Sequence, residues 1–545
     1  MSHLIPSGQQ RVPLDRIPMA SSLPLTGPAP RLAAASEPLT SPPLDVEAAL
    51  RGARLRVLIL AAECAPYVKS GGVADVVDAL ARALRRMGHD VRVALPRYGA
   101  IDREQWGLRP VVTDMRVPVG DGETHVTALE AIQPDGGHVY FIDAPAAFSR
   151  ENGTIGYPDD GERFILFNRA ALELTRALDW APDIVHCHDW YASITPNLLK
   201  TTYRDDPRLH SAASVLTIHN LQYHGIFGYR ILEVAGIEQQ PYLQPEDSQP
   251  DAVDLLGRGI EYADVVSTVS PRYAAEILTE EYGEGLHRLL RARRDRLYGI
   301  LNGIDVEQFD PSSSPAVETR FDAFSIERRA ANKRGLQRRF SLPLDERAPL
   351  IAIISRFNAV KGFELLDLTF TPILEQGAQI IAQGVGEPRY EKMMQRLSAR
   401  YPRQFNFQRT FSVDLSQRIL AGADMLLMPS LVEPCGVTQM QAMRFGCIPI
   451  VHRVGGLADT VREFDPAGDG GAGAGNGFTF SAWSPFHLFA AVTRALEAYR
   501  FRPQWEDLMQ RAMLADHSWD ASAEQYVALY RRAVELRRLA AVRAG

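Results

Sequence analysis

RVLILAAECAPYVKSGGVADVVDALARALRRMGHDVRVALP, residues 56–96, decides the fold. It opens on an unbroken apolar run, passes a loop containing Lys69, Gly71 and Gly72, continues with apolar residues at helical spacing, and closes on a second apolar run. Strand, helix, strand is the unit from which parallel sheets are built. Runs that are apolar throughout, rather than alternating, suit strands covered by helices on both faces.

The rhythm continues outward through GHVYFIDA, the helical RFILFNRAALELTRAL, DIVHCHDW, SVLTIHN and ADVVSTVS. A second series starts near LYGILNGID and is clear from APLIAIISR onward. It proceeds through GFELLDLTFTPILEQG, AQIIAQGVG, RYEKMMQRLSARY, FNFQRTF, DLSQRILAGA, DMLLMPS and CIPIVHRV. An irregular, charged stretch over residues 305–347 separates the two series, AGDGGAGAGNG (467–477) reads as a surface loop, and an amphipathic helix closes the chain. The expected fold is α/β, with two doubly wound Rossmann-like domains facing across a cleft. Their bounds are 54–296 and 297–518, with a helix over 519–545.

At 545 residues the chain exceeds what one core supports, so two domains are also expected from length. A net charge of −7 supplies no cationic field, which argues against nucleic acid or an anionic membrane as partner. No apolar run reaches the roughly 20 residues a membrane helix needs. The four cysteines are scattered and lack Cys-x-x-Cys spacing, which suits a reducing cytoplasm rather than a disulfide framework or structural zinc. Residues 1–53, rich in Pro, Ser and Ala, read as a tail without fixed structure.

Ligands of parallel sheets bind beyond the carboxyl ends of the strands. Those ends carry Lys69, Gly71 and Gly72; His186, His188 and Asp189; His219 and Asn220; Asn302; Arg356 and Lys361; Gly384, Gly386 and Glu387; Ser430 and Glu433; and Arg453, Gly455 and Gly456. Each alone fits an ordinary structural role, but their collection on one edge of two sheets points to a cleft. Arg356 offers a planar fork and Lys361 a point charge for a diphosphate. Gly-Gly turns that open helices let backbone N–H groups approach an anion. Neither Gly-rich loop has the Walker spacing, neither first strand is followed by G-x-G-x-x-G, and no cluster has metal-ligand spacing. The inventory is that of a diphosphate site with no required metal or cofactor.

The motifs KSGGVADV, YPDDGERF, DIVHCHDW, TIHNLQYHGIFG, VSTVSPRYAAEI, LNGID, ANKRGLQ, SRFNAVKGFELL, GADMLLMPSLVEPCGVTQMQAMRFGCIPIVHRVGGLADTV and HSWDASAEQY occur in one order. From about residue 54 to the C-terminus the chain resembles bacterial glycogen synthases and plant starch synthases. These are retaining glycosyltransferases of GT-B architecture that move glucose from ADP-glucose to an α-1,4-glucan. The resemblance implies a catalytic group of Glu433, His188, Arg356, Lys361 and Asp159. It implies substrate contacts by Lys69, Gly71, Gly72, Asp75, Asn302, Phe411, Gly455 and Gly456, the last two through backbone amides offered to sugar or phosphate. It also implies that the final helix returns to the first domain. The sequence departs from the family at Asp160 (commonly Asn), Phe309 (commonly Trp), Phe411 (often Tyr), Gln441 (an acid in the wider superfamily) and Val454 (commonly Thr). Loss of the hydroxyl at Val454 raises the expectation of altered donor binding. A UDP-glucose-using or oligosaccharide-forming enzyme, and a silent glucan-binding homologue, stay open at this point.

Overall fold

The computed structural model describes residues 41–150, 153–237, 252–467 and 475–544. The first series gives β1 (Arg56–Leu60), β2 (Asp90–Pro96), β3 (Arg109–Val119), β4 (Gly122–Ile132), β5 (His138–Asp143), β6 (Ile184–His188) and β7 (Ala213–Ile218). A small separate pair, β8 (Ile226–Gly228) and β9 (Ala252–Asp254), precedes β10 (Val265–Thr268) and β11 (Leu297–Gly299). The second series gives β12 (Leu350–Ile354), β13 (Gln379–Gln383), β14 (Phe405–Gln408), β15 (Met425–Met428), β16 (Ile448–His452) and β17 (Phe478–Phe480).

The nine-stranded first sheet has the order β11-β10-β7-β6-β1-β2-β5-β4-β3. Its strands are parallel from β11 to β5, with β4 and β3 added antiparallel at one edge. The six-stranded second sheet, β14-β13-β12-β15-β16-β17, is parallel throughout. In the first sheet the winding reverses between β1 and β6, and in the second between β12 and β15. Those reversals open a crevice at the carboxyl ends of the strands. They put the Lys69 loop beside His188 in one domain, and Arg356 and Lys361 beside Glu433 in the other.

The apolar runs sit where covered strands require. Val57, Leu58, Ile59 and Leu60 are buried, each contributing about 2 kcal/mol by leaving water. Helix Val73–Arg86 covers them with Val77, Leu80, Ala81 and Leu84. It stops where Gly88 adopts a φ of 90° and donates its N–H to the Arg85 carbonyl at 2.8 Å.

The chain crosses between domains twice, side by side. Ile304 N–H donates to the His517 carbonyl at 2.8 Å, and Ile304 and Ser518 form a parallel bridge. Gly303 is needed there, since a Cβ on it would lie 2.5 Å from the Trp519 nitrogen. Helix Trp519–Ala544 then lies on the first domain, where the Tyr530 hydroxyl is 2.9 Å from His186 Nδ1.

Four expectations change. Residues 1–40 lie outside the described residues, but 41–53, read as part of a structureless tail, carry helix Val46–Leu50. That helix packs on Trp519–Ala544 and is capped by Asp45, which accepts the Ala48 N–H at 2.9 Å. The hairpin of β3 and β4 adds two antiparallel strands that the apolar runs do not mark. β11, assigned to the second domain by the boundary at 297, pairs with β10 in the first sheet. The stretch 305–347, read as irregular, contains helix Arg329–Arg339, in which buried Lys333 reaches Asp424 at 2.7 Å and the Tyr499 hydroxyl at 2.7 Å. Most of the loop read over 467–477 lies outside the described residues. No helix among the described residues is long and apolar enough to cross a membrane.

Candidate active site

β12 ends at Ile354, and the chain passes Arg356 into a short 3-10 turn, Ala359–Lys361. The turn closes at Gly362, where φ is 76° and a Cβ would lie 2.1 Å from the Pro429 carbonyl. Only glycine allows both the dihedral and the approach. This seats the turn against the exit of β15 and brings Lys361 Nζ to 2.5 Å from Glu433 Oε2, which also accepts from Ser430 Oγ at 2.9 Å. Glu433 is buried, so this charge-assisted pair is weakly screened.

Arg356 reaches the other way. Its Nη2 donates to the Ser70 carbonyl at 3.2 Å, tying the second domain to the first Gly-Gly loop. That loop is shaped by Glu63, whose Oε2 accepts from Ser70 N–H (2.5 Å), Ser70 Oγ (2.5 Å) and Gly71 N–H (3.0 Å). The Gly71 amide is therefore occupied. Gly72 faces open space, with no atom within 4 Å of where its Cβ would stand. Lys69 and Asp75, both about half-exposed, form an ion pair of 2.6 Å at the same opening.

On the first-domain side, His188 Nδ1 is 2.8 Å from His219 Nε2, and the His219 N–H donates to Asp189 Oδ1 at 2.7 Å. Asp189 holds this arrangement with a φ of 55°. Burial pushes its carboxyl up to about 7. Burial also pushes His186 down to about 3, His219 down to about 4, and His188 well below the usual imidazole range. These imidazoles are neutral near pH 7. His186 is spent on structure, between the Tyr530 hydroxyl and Thr217 Oγ1. His188 is different: its buried Nε2 has no hydrogen-bond partner among the described residues, so it is available to a hydroxyl.

The remaining expected residues are less joined. Asp159 pairs with Arg150 at 2.5 Å and is about two-fifths exposed, while its neighbour Asp160 is buried on Arg163 at 2.7 Å. Asn302 is buried, with Oδ1 unpartnered among the described residues. Phe411 is 63% exposed and stacks on no other ring among the described residues.

The second Gly-Gly pair corrects the sequence reading. Gly455 N–H donates to both oxygens of Glu276, at 3.2 and 3.0 Å. Gly456 N–H donates to the Glu433 and Pro434 carbonyls, both at 3.1 Å, and the next two amides go to the Val454 carbonyl. These amides are committed to the protein rather than offered to a ligand. The glycines serve close packing: a Cβ on Gly455 would stand 2.0 Å from the Glu433 carbonyl, and one on Gly456 2.0 Å from that of Cys435. Val454 is 1% exposed and lies in an apolar cluster with Val451, Leu457 and Val461.

Three residues that shape the site were missed. In the sequence Glu63 reads only as the last residue of an apolar run. Glu276 and Gln439 lie inside the motifs VSTVSPRYAAEI and GADMLLMPSLVEPCGVTQMQAMRFGCIPIVHRVGGLADTV, but nothing in the sequence assigns them a role; Gln439 Nε2 ties the Gly436 carbonyl (3.0 Å) to Thr460 Oγ1 (3.1 Å). No group of three or more His, Cys, Asp or Glu side chains among the described residues is arranged to hold a metal ion.

Residues 56–292 match the family model described as "Starch synthase catalytic domain", and residues 336–508 match "Glycosyl transferases group 1". A glycogen synthase of Clostridium novyi is 39% identical over 478 residues, covering 87% of this chain and 98% of that one. One from Geobacillus thermodenitrificans is 40% identical over 482 residues, covering 88% and 98%. Among solved structures, the catalytic domain of starch synthase IV from Arabidopsis thaliana, bound to ADP and acarbose, superposes with a TM-score of 0.80 at 33% identity. It covers 89% of this chain and 100% of that one. Sucrose-phosphate synthase from Thermosynechococcus elongatus, at 18% identity and a TM-score of 0.54, shares the fold.

Proposed function

The chain belongs to the family of glycogen and starch synthases, and from that premise we propose that it transfers glucose from ADP-glucose to the non-reducing end of an α-1,4-glucan, with retention of configuration. The observation that carries this reading is the Lys361–Glu433 pair at the winding reversal of the second sheet, with Arg356 reaching the Gly-Gly loop across the cleft.

Arg356 and Lys361 meet the donor diphosphate and stabilise the negative charge that gathers on ADP as the bond from C1 to the phosphate oxygen breaks. Glu433 meets the glucose hydroxyls and opposes the positive charge growing on the sugar. His188, neutral and with Nε2 free, accepts from or donates to a glucose hydroxyl. Lys69 and Asp75, with Gly72 open beside them, border the donor from the first domain. Asp159, Asn302 and Phe411 complete the assignment, Phe411 as an apolar face for the adenine. A double displacement needs a carboxylate nucleophile beneath the anomeric carbon. Glu433 is engaged by Lys361 and Ser430, which suits an orienting and electrostatic role better. In that case the departing phosphate takes the proton from the incoming 4-hydroxyl on the face it leaves. We place the reaction in the cytoplasm, where the four cysteines, all buried and free, stay reduced.

The test is product analysis. Incubation with ADP-glucose and a short malto-oligosaccharide should give a ladder in which each product is longer by one glucose, fully digestible by an α-1,4-specific glucosidase. No elongation, or glucosidase-resistant products, would refute the reading.

A further inference from the structure

We propose that Glu276, a residue of the first domain, is a positioning residue for Glu433 in the second. The inference rests on the assignment of Glu433 to the donor glucose. Glu276 ends helix Pro271–Glu276, which follows β10, and helix Gly455–Thr460 follows β16. The two helices pack across the domain boundary and exchange carboxylates. Glu276 accepts the Gly455 N–H with both oxygens, at 3.2 and 3.0 Å, and Asp459 Oδ2 accepts the Arg272 N–H at 2.8 Å. Arg272 Nε steadies Glu276 at 2.8 Å, and the Glu276 side chain is 3% exposed. A buried carboxylate held by a guanidinium and aimed at one amide is a rigid anchor, because an unpartnered charge there would be costly.

What it anchors matters. Gly455 is in the left-handed region at φ 44°, packed so that a Cβ would stand 2.0 Å from the Glu433 carbonyl. The following amide, Gly456 N–H, donates to that same carbonyl at 3.1 Å. The links therefore run from the Glu276 carboxylate to the Gly455 amide, from the Gly456 amide to the Glu433 main chain, and from the Glu433 carboxylate to Lys361. The first domain sets the backbone on which the donor-side acid of the second domain is mounted.

The test compares Glu276→Ala with Glu276→Gln in the full chain. In Glu276→Gln a carbonyl oxygen still accepts from Gly455, so near-normal turnover is expected. Glu276→Ala should lower kcat about tenfold or more, the order of a lost hydrogen bond to a buried charge, with the KM for glucan unchanged. Hydrogen exchange is read on the same proteins without substrate: the Gly456 amide should exchange faster in Glu276→Ala but not in Glu276→Gln. Should Glu276→Ala not fold, Glu276→Asp, whose carboxylate is drawn back by one methylene, takes its place. An unaltered Gly456 exchange rate, unaltered kcat in an active background, or equal loss in both variants overturns the proposal. A wild-type chain inactive on ADP-glucose would refute the proposed function instead, and the exchange measurement would still decide whether Glu276 sets the loop.

Discussion

Lys361 Nζ lies 2.5 Å from Glu433 Oε2, so the cation assigned to the diphosphate and the acid assigned to the sugar already touch. The site has its charges paired before a donor arrives. In the proposed roles, a diphosphate competes with Glu433 for Lys361, and a neutral sugar satisfies Glu433 when it loses part of that pairing. On the proposed assignment, phosphate and glucose are recognised through one ion pair.

Replacing either partner separates the two jobs. Lys361→Ala should weaken ADP binding and lower glucose transfer by about 10²–10³, the order of losing one preorganised electrostatic contact. Glu433→Gln should lower transfer as much, yet leave ADP binding intact or tighter, because Lys361 is released. Calorimetric titration with ADP beside initial-rate kinetics reads both, and equal weakening of ADP in the two variants would contradict the pairing argument.

The two Gly-Gly pairs should respond oppositely to a methyl group. Gly72 has open space at its Cβ position and a φ of −77°, so Gly72→Ala should keep its melting temperature, and any change should fall on the donor KM. Gly456→Ala drives a Cβ to 2.0 Å from the Cys435 carbonyl, so it should lower both melting temperature and kcat. Thermal melts with donor kinetics distinguish these outcomes.

Val454→Thr should be a stability change and not a specificity change. The side chain is buried among aliphatic residues, and a hydroxyl placed there without a partner costs about 1–3 kcal/mol. Urea unfolding should show that loss with the KM for ADP-glucose unmoved. A shifted KM at unchanged stability would return Val454 to the phosphate site.

Stability should fall as the solution is acidified below about pH 6.5. His186, His188 and His219 have folded pKa values below the unfolded imidazole value, so between the two the unfolded chain binds more protons. Each such proton contributes about 1.4 kcal/mol per pH unit. Asp189, raised by burial to about 7, acts in the opposite sense: its native carboxyl keeps a proton that the unfolded chain has lost, so it weakens the slope by one proton without reversing it. Melting temperatures from pH 7.5 down to pH 5 should decline, and His219→Asn should make the decline shallower.

Much of this was legible because continuous apolar runs are decisive for covered parallel strands, and their carboxyl ends are where the candidate residues lie. Lys361 and Glu433 were legible as types in the right places, though not as a pair. The hairpin of β3 and β4 escaped because it is a half-exposed edge with register shifts near Val112, so no clean alternation marks it. Helix Arg329–Arg339 escaped because Arg329 and Lys333 are buried through hydrogen bonds rather than apolar surface. The second Gly-Gly pair misled for a related reason. Its local spacing matches the first, but its amides are claimed by Glu276, 179 positions away, and by the Glu433 backbone. Local patterns give a residue's capacity, and tertiary partners determine its use.

The proposed glucose transfer is tested most directly by initial-rate transfer to glycogen from ADP-glucose and from UDP-glucose, side by side, with the purified chain. Incorporation from ADP-glucose with the higher kcat/KM, stoichiometric release of ADP, and collapse of that rate in Lys361→Ala are expected. Preferential use of UDP-glucose, or no incorporation from either donor, would contradict it.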